Sequence, residues 1–377
     1  MEHFITEIEI KKVRHLENLT IKLSDTERKH LILTGKNGSG KTSVLEVLKR
    51  NLVVIQGNLL SKNKKTIIKN NQAKIDIANV KNTIFSFQQF SVKNFIFAYF
   101  HSTENRTSKP IIPKNPNKLT PFLYSSIEDK NISAEIVQYL VNLHFKKLNA
   151  INEKDEETAI QIDAWFANFT KMLQSIFQDD SVQLKFDIDN MNFNILTKGR
   201  EKFDFTTLSD GYSAFLNIVT EIILRMESKA PKVYDIQGIV LIDEIETHLH
   251  IDLQEKILPL LTTFFPKIQF IVTTHSPFVL SSISNSVIYD LENHSYLTDV
   301  SDLSYSALIK YHFRITDEYS ILIKHKIADY QGLIEKKERT ETENKQLFDL
   351  DTELSNLSPV LSPELYLQFT QLQEQLA

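Results

Sequence analysis

A chain of 377 residues with 42% hydrophobic side chains is long enough to bury a sizeable core and to divide into two lobes. It has no cysteine, which excludes disulfides and thiolate-metal sites, and no apolar run approaches the roughly 20 residues of a membrane span. The net charge of −5 conceals a local excess of positive charge, because residues 57–118 hold eleven Lys and Arg against Asp76 and Glu104.

The chain opens with a strand-like alternation of apolar and charged residues from Phe4 to Val13, unlike a signal peptide, and further strands are expected over 19–23 and 31–33. The third strand runs into Gly35-Lys-Asn-Gly-Ser-Gly-Lys-Thr42, and a helix with Val44, Leu45, Leu48 and Leu52 on one face leaves it. Three of the chain's eight glycines fall within the six positions 35–40. They let the backbone turn tightly enough for successive N–H groups to face one anion at a helix N-terminus, the Walker A form of a phosphate cradle. Asn37, Gly38, Ser39, Gly40, Lys41, Thr42 and Ser43 are the expected nucleotide-binding set. Lys41 would reach the β- and γ-phosphates of ATP, and Thr42 would hold Mg²⁺.

Lys62, Lys64, Lys65, Lys69 and Lys74 follow with no acid between Gly57 and Ile75, and suggest a face for a polyanion such as DNA or RNA, or else a solvated insertion. A strand is expected over 94–100. Four of ten prolines lie within 110–121, a stiff linker that should close the first lobe. From about Ile127 to Phe177 the spacing of Ile136, Leu140, Leu143, Trp165, Phe169, Leu173 and Phe177 is helical, with Trp165 a core residue. Residues 181–206 alternate as strands, and Asp187 and Asp189 fit an edge hairpin with outward acids better than a metal pair.

Thr207-Leu-Ser-Asp-Gly-Tyr212 then opens a helix carrying Phe215, Ile218, Val219, Ile222 and Met226 on one face. Ser209 is a natural N-cap and Gly211 permits close backbone approach, so this helix start can present donors to a phosphate. About thirty residues on, Gly238-Ile-Val-Leu-Ile-Asp-Glu-Ile-Glu246 reads as a buried strand ending in carboxylates, the Walker B form. Asp243 would bind the Mg²⁺ shell and Glu244 would orient or deprotonate the attacking water. The next strand, 268–274, ends at His275, placed to meet the γ-phosphate and that water. The tail from about Asp302 reads as helical, its crowded Lys and Glu at 335–345 as a solvated helix or hinge. Asp349 and Asp351 sit among Leu347, Leu350, Leu354 and Leu357 at helical spacing, which argues against a fused nuclease.

These residues together resemble the ATP-binding-cassette class of ATPases, in its soluble branch of structural-maintenance-of-chromosomes, RecF-like and overcoming-lysogenization-defect proteins. The phrases LSDGY, LIDEIETHLH and FIVTTHSPFVLSS are similar to those of AAA-type ATP-binding proteins of phage-defence operons, the ATPase half of Septu- or retron-type systems, and unlike the LSGGQ of transporter subunits. The likeness covers roughly 1–60 and 180–295. It implies a head-to-tail homodimer, or a higher oligomer built on it, in which Ser209 and Gly211 act in trans on nucleotide held at Lys41. Arg14 stands where relatives often carry a basic residue near the nucleotide. The γ-phosphate-sensing glutamine that relatives place after the 94–100 strand is absent: His101, Ser102 and Arg106 follow, Gln88 and Gln89 precede, and no residue is assigned that role.

The expected architecture is an α/β P-loop fold of this type with a mixed sheet. Its divisions are lobe I with Walker A and the lysine-rich insertion over 1–121, a helical insertion over 122–180, the signature, Walker B and switch histidine over 181–300, and a helical tail over 301–377. The expected function is a cytoplasmic Mg²⁺-dependent ATPase acting in anti-phage defence with a separate nuclease or toxin effector, with DNA or RNA as a further partner and no membrane. An ATP-dependent scaffold holding a partner inactive, a DNA-repair ATPase and, less favoured by the signature, a transporter subunit are the alternatives.

Overall fold

The computed structural model describes residues 2–55, 73–77, 95–102, 110–111, 132–229, 236–297, 308, 321–336, 338–356 and 363–376. The lysine-rich stretch from Lys62 to Lys69, Gln88, Gln89, Arg106 and most of the proline linker lie outside these residues. The chain divides into two compact units, 1–308 and 309–377.

The first unit is built on a mixed sheet whose strand order, among the described residues, is β12-β11-β3-β10-β9-β5. Its members are β3 (His30–Thr34), β5 (Phe95–Phe100), β9 (Gln237–Ile242), β10 (Ile268–Thr273), β11 (Ser286–Asp290) and β12 (Ser295–Leu297). All neighbours pair in parallel except β12, which closes one edge antiparallel to β11. Unbroken aliphatic runs in β9 and β10 follow from cover on both faces. Gly238, near the start of β9, is needed for space: a Cβ there would lie 2.5 Å from Ile96 Cγ1 and 2.7 Å from its carbonyl oxygen.

On one face Leu31, Leu33, Ile239, Leu241 and Ile271 pack with Val44, Leu45, Leu48 and Leu52 of α1 (Lys41–Ile55), and with a small antiparallel sheet ordered β2-β1-β4. That sheet comprises β1 (Ile5–Val13), β2 (Leu16–Lys22) and β4 (Ala73–Ile77), with Ile8 opposite Ile21 on its core side. The other lobe of the unit begins with a 3₁₀ turn at Ile132–Glu135 and an antiparallel pair of helices, α2 (Ile136–Asn152) and α3 (Glu156–Phe177). Asp155 caps α3 by accepting from the Thr158 N–H, and Gln178 ends it in the left-handed conformation. Trp165 is a core residue as expected, stacked on Phe169 with ring centroids 5.2 Å apart and donating from Nε1 to Glu227.

A three-stranded sheet, β6 (Gln183–Asp187), β7 (Asn192–Leu196) and β8 (Phe203–Asp204), leads into α4 (Asp210–Lys229). Every residue of α4 from Ser213 to Met226 is buried, so even its polar members need partners: Arg225 forks onto Glu221 Oε1 at 2.8 and 3.0 Å. Asp187 accepts from the Asn190 backbone and from the side chains of Asn190 and Asn194, which holds its carboxyl down at about 2. The Asp187/Asp189 pair thus serves a turn. The helices α5 (Ile251–Phe264) and α6 (Pro277–Leu280) follow β9 and β10.

The second unit contains α7 (Ile321–Ile334), α8 (Glu341–Leu354) and α9 (Pro363–Leu376). The helical tail packs here as a bundle with its own core of Ile327, Tyr330, Leu333, Leu347, Leu354, Leu365, Phe369 and Leu372, while the stretch 335–345 stays largely exposed among the described residues, as a solvated segment should. The charges crowded at 335–345 do the work of a helix boundary. Arg339 Nη1 donates to the carbonyls of Leu333 and Ile334 at the end of α7, and Thr340 and Glu343 form a capping box that starts α8. Asp351 accepts from Tyr330 Oη at 2.6 Å and from Gln373 Nε2 at 2.9 Å, a structural use of the second aspartate of that pair.

Candidate nucleotide site

The carboxyl ends of β3, β10, β9 and β5 finish level with one another: Leu33 pairs with Thr273, Val272 with Ile242, and Ile242 with Phe100. Each strand therefore delivers its next residues to one place, where ligands bind in sheets of this kind.

After β3 the chain turns through Gly35, Gly38 and Gly40 with φ of +131°, +84° and +101°. A Cβ on Gly40 would sit 2.7 Å from Leu16 Cδ1, and one on Gly35 2.8 Å from Ser39 Oγ, whereas at Gly38 only the dihedral demands glycine. The turn closes with Ser39 N–H donating to the Lys36 carbonyl, and α1 starts at Lys41 with its first N–H groups directed at the loop. All seven expected loop residues, Asn37 to Ser43, lie in this turn or the first turn of α1. Ser39 Oγ is buried with no hydrogen-bond partner among the described residues.

Lys41 is buried, its Nζ donating to the carbonyls of Gly35 at 2.8 Å and Lys36 at 3.1 Å. Burial pulls its pKa down, and the nearby carboxylates of Glu244, Glu246, Asp243 and Asp290 pull it back up. At the base of the loop Lys36 pairs with Glu292 at 2.8 Å. Arg14, in the left-handed region at the β1–β2 turn, is exposed and pairs with Glu46 of α1 at 3.4 Å.

Asp243, fully buried at the end of β9, is reached by three hydroxyls. Thr42 Oγ1 lies 2.9 Å from Oδ2, Thr273 Oγ1 2.7 Å from Oδ1, and Ser102 Oγ 3.4 Å from Oδ2. The Thr42–Asp243 contact joins residues 201 positions apart. A hydroxyl and a carboxylate side by side at a phosphate loop are hard oxygen donors that fit Mg²⁺. Glu244 takes φ +48°, and its N–H donates to Thr273 Oγ1 at 2.6 Å. Thr273, to which the sequence assigned no role, therefore grips both acids at once. Ser102 likewise occupies the strand end where no glutamine was found.

His275 is brought to the same end. Its Nε2 is buried without a hydrogen-bond partner among the described residues, and burial, then the charge of Lys41, lowers its pKa against the opposing pull of Glu244 and Asp243. Glu246 also escaped the sequence reading. It accepts from the His275 N–H at 2.6 Å and the Thr274 hydroxyl at 2.7 Å, and burial raises its pKa despite those bonds. The signal was there, a third acid two residues past Glu244, but nothing in the sequence separates its duty from that of Glu244.

Ser209 and Gly211 stand apart from this cluster. Ser209 is exposed at the N-cap of α4, its carbonyl accepting from the Ser213 N–H, and Gly211 packs on the segment after Walker B, where a Cβ would meet the His248 carbonyl oxygen at 3.2 Å.

A protein-family profile described as "AAA domain, putative AbiEii toxin, Type IV TA system" matches residues 87–281, more than half of the chain. The chain belongs to this AAA-domain family. It is similar to the Septu protein PtuA of Bacillus mycoides strain KBAB4, with 26% identity over 310 residues that make up 78% of this chain and 41% of that protein. It is also similar to the retron Ec83 probable ATPase of Escherichia coli, 30% identical over 193 residues, 50% of this chain and 32% of that one. The chain therefore spans well under half the length of these relatives. Among solved structures, the SmcHead bound to the C-winged helix domain of ScpA aligns with a TM-score of 0.42 and 14% identity, over 76% of this chain and 93% of that chain. The AAA-domain match takes in Ser209, Gly211, Asp243, Glu244 and His275, and the family is one that the LSDGY and LIDEIETHLH phrases resemble.

Proposed function

We propose that this chain binds ATP with Mg²⁺ and hydrolyses it. The observation that carries the reading is the junction of Thr42 with Asp243, ringed by Lys41, Glu244 and His275 at one end of the sheet. Loop N–H groups and Ser39 Oγ would cradle the phosphates, and Lys41 would exchange its loop carbonyls for phosphate oxygens. Mg²⁺, held by Thr42 and Asp243, would supply charge neutralisation across the β- and γ-phosphates. Glu244 would orient and deprotonate the attacking water, and His275 would donate an Nε2–H bond to the γ-phosphate.

Ser209 is exposed at the start of α4, with Gly211 two residues on, which supports a homodimer, or a larger assembly of dimers, in which they complete the partner's site. Relatives named for Septu and retron systems support a role in anti-phage defence, exercised on a separate nuclease or toxin effector, with the lysine excess of 57–118 meeting DNA or RNA. No helix among the described residues is long and apolar enough to cross a membrane, in keeping with a cytoplasmic site of action.

Glu244→Gln keeps the shape of the side chain but loses the base, so turnover should fall by about 100-fold or more while ATP binding persists and the dimer is stabilised. Lys41→Ala should instead lose ATP binding. Steady-state phosphate release with parallel nucleotide-binding and size measurements reads all three, and parental turnover by Glu244→Gln would sink the reading.

A further inference from the structure

Glu246 is half-buried beside the reactive cluster, yet both of its carboxylate oxygens are already committed, Oε1 to the His275 N–H and Oε2 to the Thr274 hydroxyl. The bonds continue around a closed circuit. Thr274 Oγ1 accepts from the Ser276 N–H at 2.9 Å, Ser276 Oγ donates to Gln254 Oε1 at 2.7 Å, Gln254 Nε2 donates to the Leu249 carbonyl at 2.8 Å, and the Leu249 N–H returns to the Glu246 carbonyl at 2.9 Å. The circuit spans the turn after β9, the loop after β10 and the first turns of α5.

We propose that Glu246 is the positioning residue for His275, holding the switch loop through this ring and, by the ring's far side at Leu249, tying it to the surface on which Gly211 rests. The inference builds on the reading of His275 as the γ-phosphate contact. Three features support it. The His275 N–H finds its acceptor, among the described residues, in Glu246 Oε1 at 2.6 Å, so removing that oxygen leaves the donor without a partner. The ring leaves the imidazole itself outside the circuit, with Nε2 unpartnered. A Cβ on Gly211 would meet His248 O at 3.2 Å and His250 N at 3.9 Å, the two residues that flank Leu249, so a displacement of His275 has a route through the ring to a segment in contact with the turn at Gly211.

Acting through hydrogen-bond geometry and not through charge, Glu246 should be replaceable by an isostere. In Gln, Oε1 can accept from His275 while Nε2 donates to Thr274 Oγ1. Glu246→Ala should lower kcat about tenfold or more with nucleotide affinity within about threefold, and Glu246→Gln should recover to within about threefold of the parent. Glu246→Ala combined with His275→Ala should be no slower than His275→Ala alone, because the two act through one group. Amide hydrogen exchange across 273–276 should speed up in Glu246→Ala and return to parental rates in Glu246→Gln. Gln254→Met opens the ring without touching the reactive cluster and should show the same exchange and kcat pattern, weaker, should Glu246→Ala fail to fold.

Equal loss in the Ala and Gln variants, additive loss with His275→Ala, or unchanged exchange at 273–276 would each overturn the proposal. A parent protein without turnover would instead defeat the ATPase reading, and the exchange measurement would still decide whether Glu246 holds the loop.

Discussion

The two ends of the central sheet solve opposite problems with different chemistry. At the amino ends of the strands the buried polar groups are neutral: Gln269 Oε1 accepts from the Ile5 N–H and its Nε2 donates to the carbonyls of Ile5 and Lys29, while His30 Nδ1 accepts from the Phe270 N–H. At the carboxyl ends the groups are ionisable, with Asp243, Glu244, Glu246 and Lys41 brought together and held by hydroxyls of Thr42, Thr273, Thr274 and Ser102. The amino end is a seam that fastens β1 to the sheet, and it gains by having no charge to desolvate. The carboxyl end accepts that cost because charged groups, unlike amides, can bind a cation and move a proton.

Three changes test whether the two ends are separable. The largest effect is expected at the seam. Gln269→Leu removes the partner of three backbone groups inside a fully buried site, so stability should drop by about 4 kcal/mol while turnover per folded molecule stays parental. A urea midpoint shift with unchanged kcat is the expected pair of readings, and a parallel fall in kcat would show that the ends are coupled.

Next comes pH. Burial, aided by Arg28 and Lys29, lowers the His30 pKa from 6.5 to about 4, so between those values the unfolded chain binds the extra proton. The stability due to a neutral His30 is complete above pH 6.5 and is lost as pH falls through 4, up to about 3 kcal/mol. In His30→Asn, whose Oδ1 can replace Nδ1 as acceptor, the urea midpoint should vary less over that window. An unchanged slope would assign the acid sensitivity to other groups.

The smallest effect is expected at the site end. Thr273→Val keeps shape but leaves the Glu244 N–H without its acceptor and Asp243 with two hydroxyls instead of three, so kcat should fall roughly tenfold with little loss of stability. Parental kcat would mean that β10 alone fixes the acids.

Much of this was legible in the chain itself. Glycines at 35, 38 and 40 are required by a turn whose φ values no other residue adopts easily, so their spacing encodes the loop directly. Aliphatic runs ending in Asp243 and His275 encode buried parallel strands with polar ends, because a strand covered on both faces has nowhere else to place a charge. The left-handed turn at Glu244 was not legible, since there a carboxylate is needed and glycine cannot provide one.

The second unit shows the same limit. The spacing of Leu347, Leu350 and Leu354 predicted helix, but helical spacing does not say what the apolar face packs against, and only the meeting of Tyr330, Leu354 and Phe369 shows that. Sequence by itself determined the loop, the strands and the inventory of reactive groups, because each depends on residues a few positions apart. Tertiary structure alone decided which of them share a bond. Thr42 meets Asp243 across 201 positions, Thr273 grips two acids 30 and 29 positions away, and Glu246 meets the His275 N–H across 29 positions. Those pairings are set by strand order and register, and local periodicity carries no record of either.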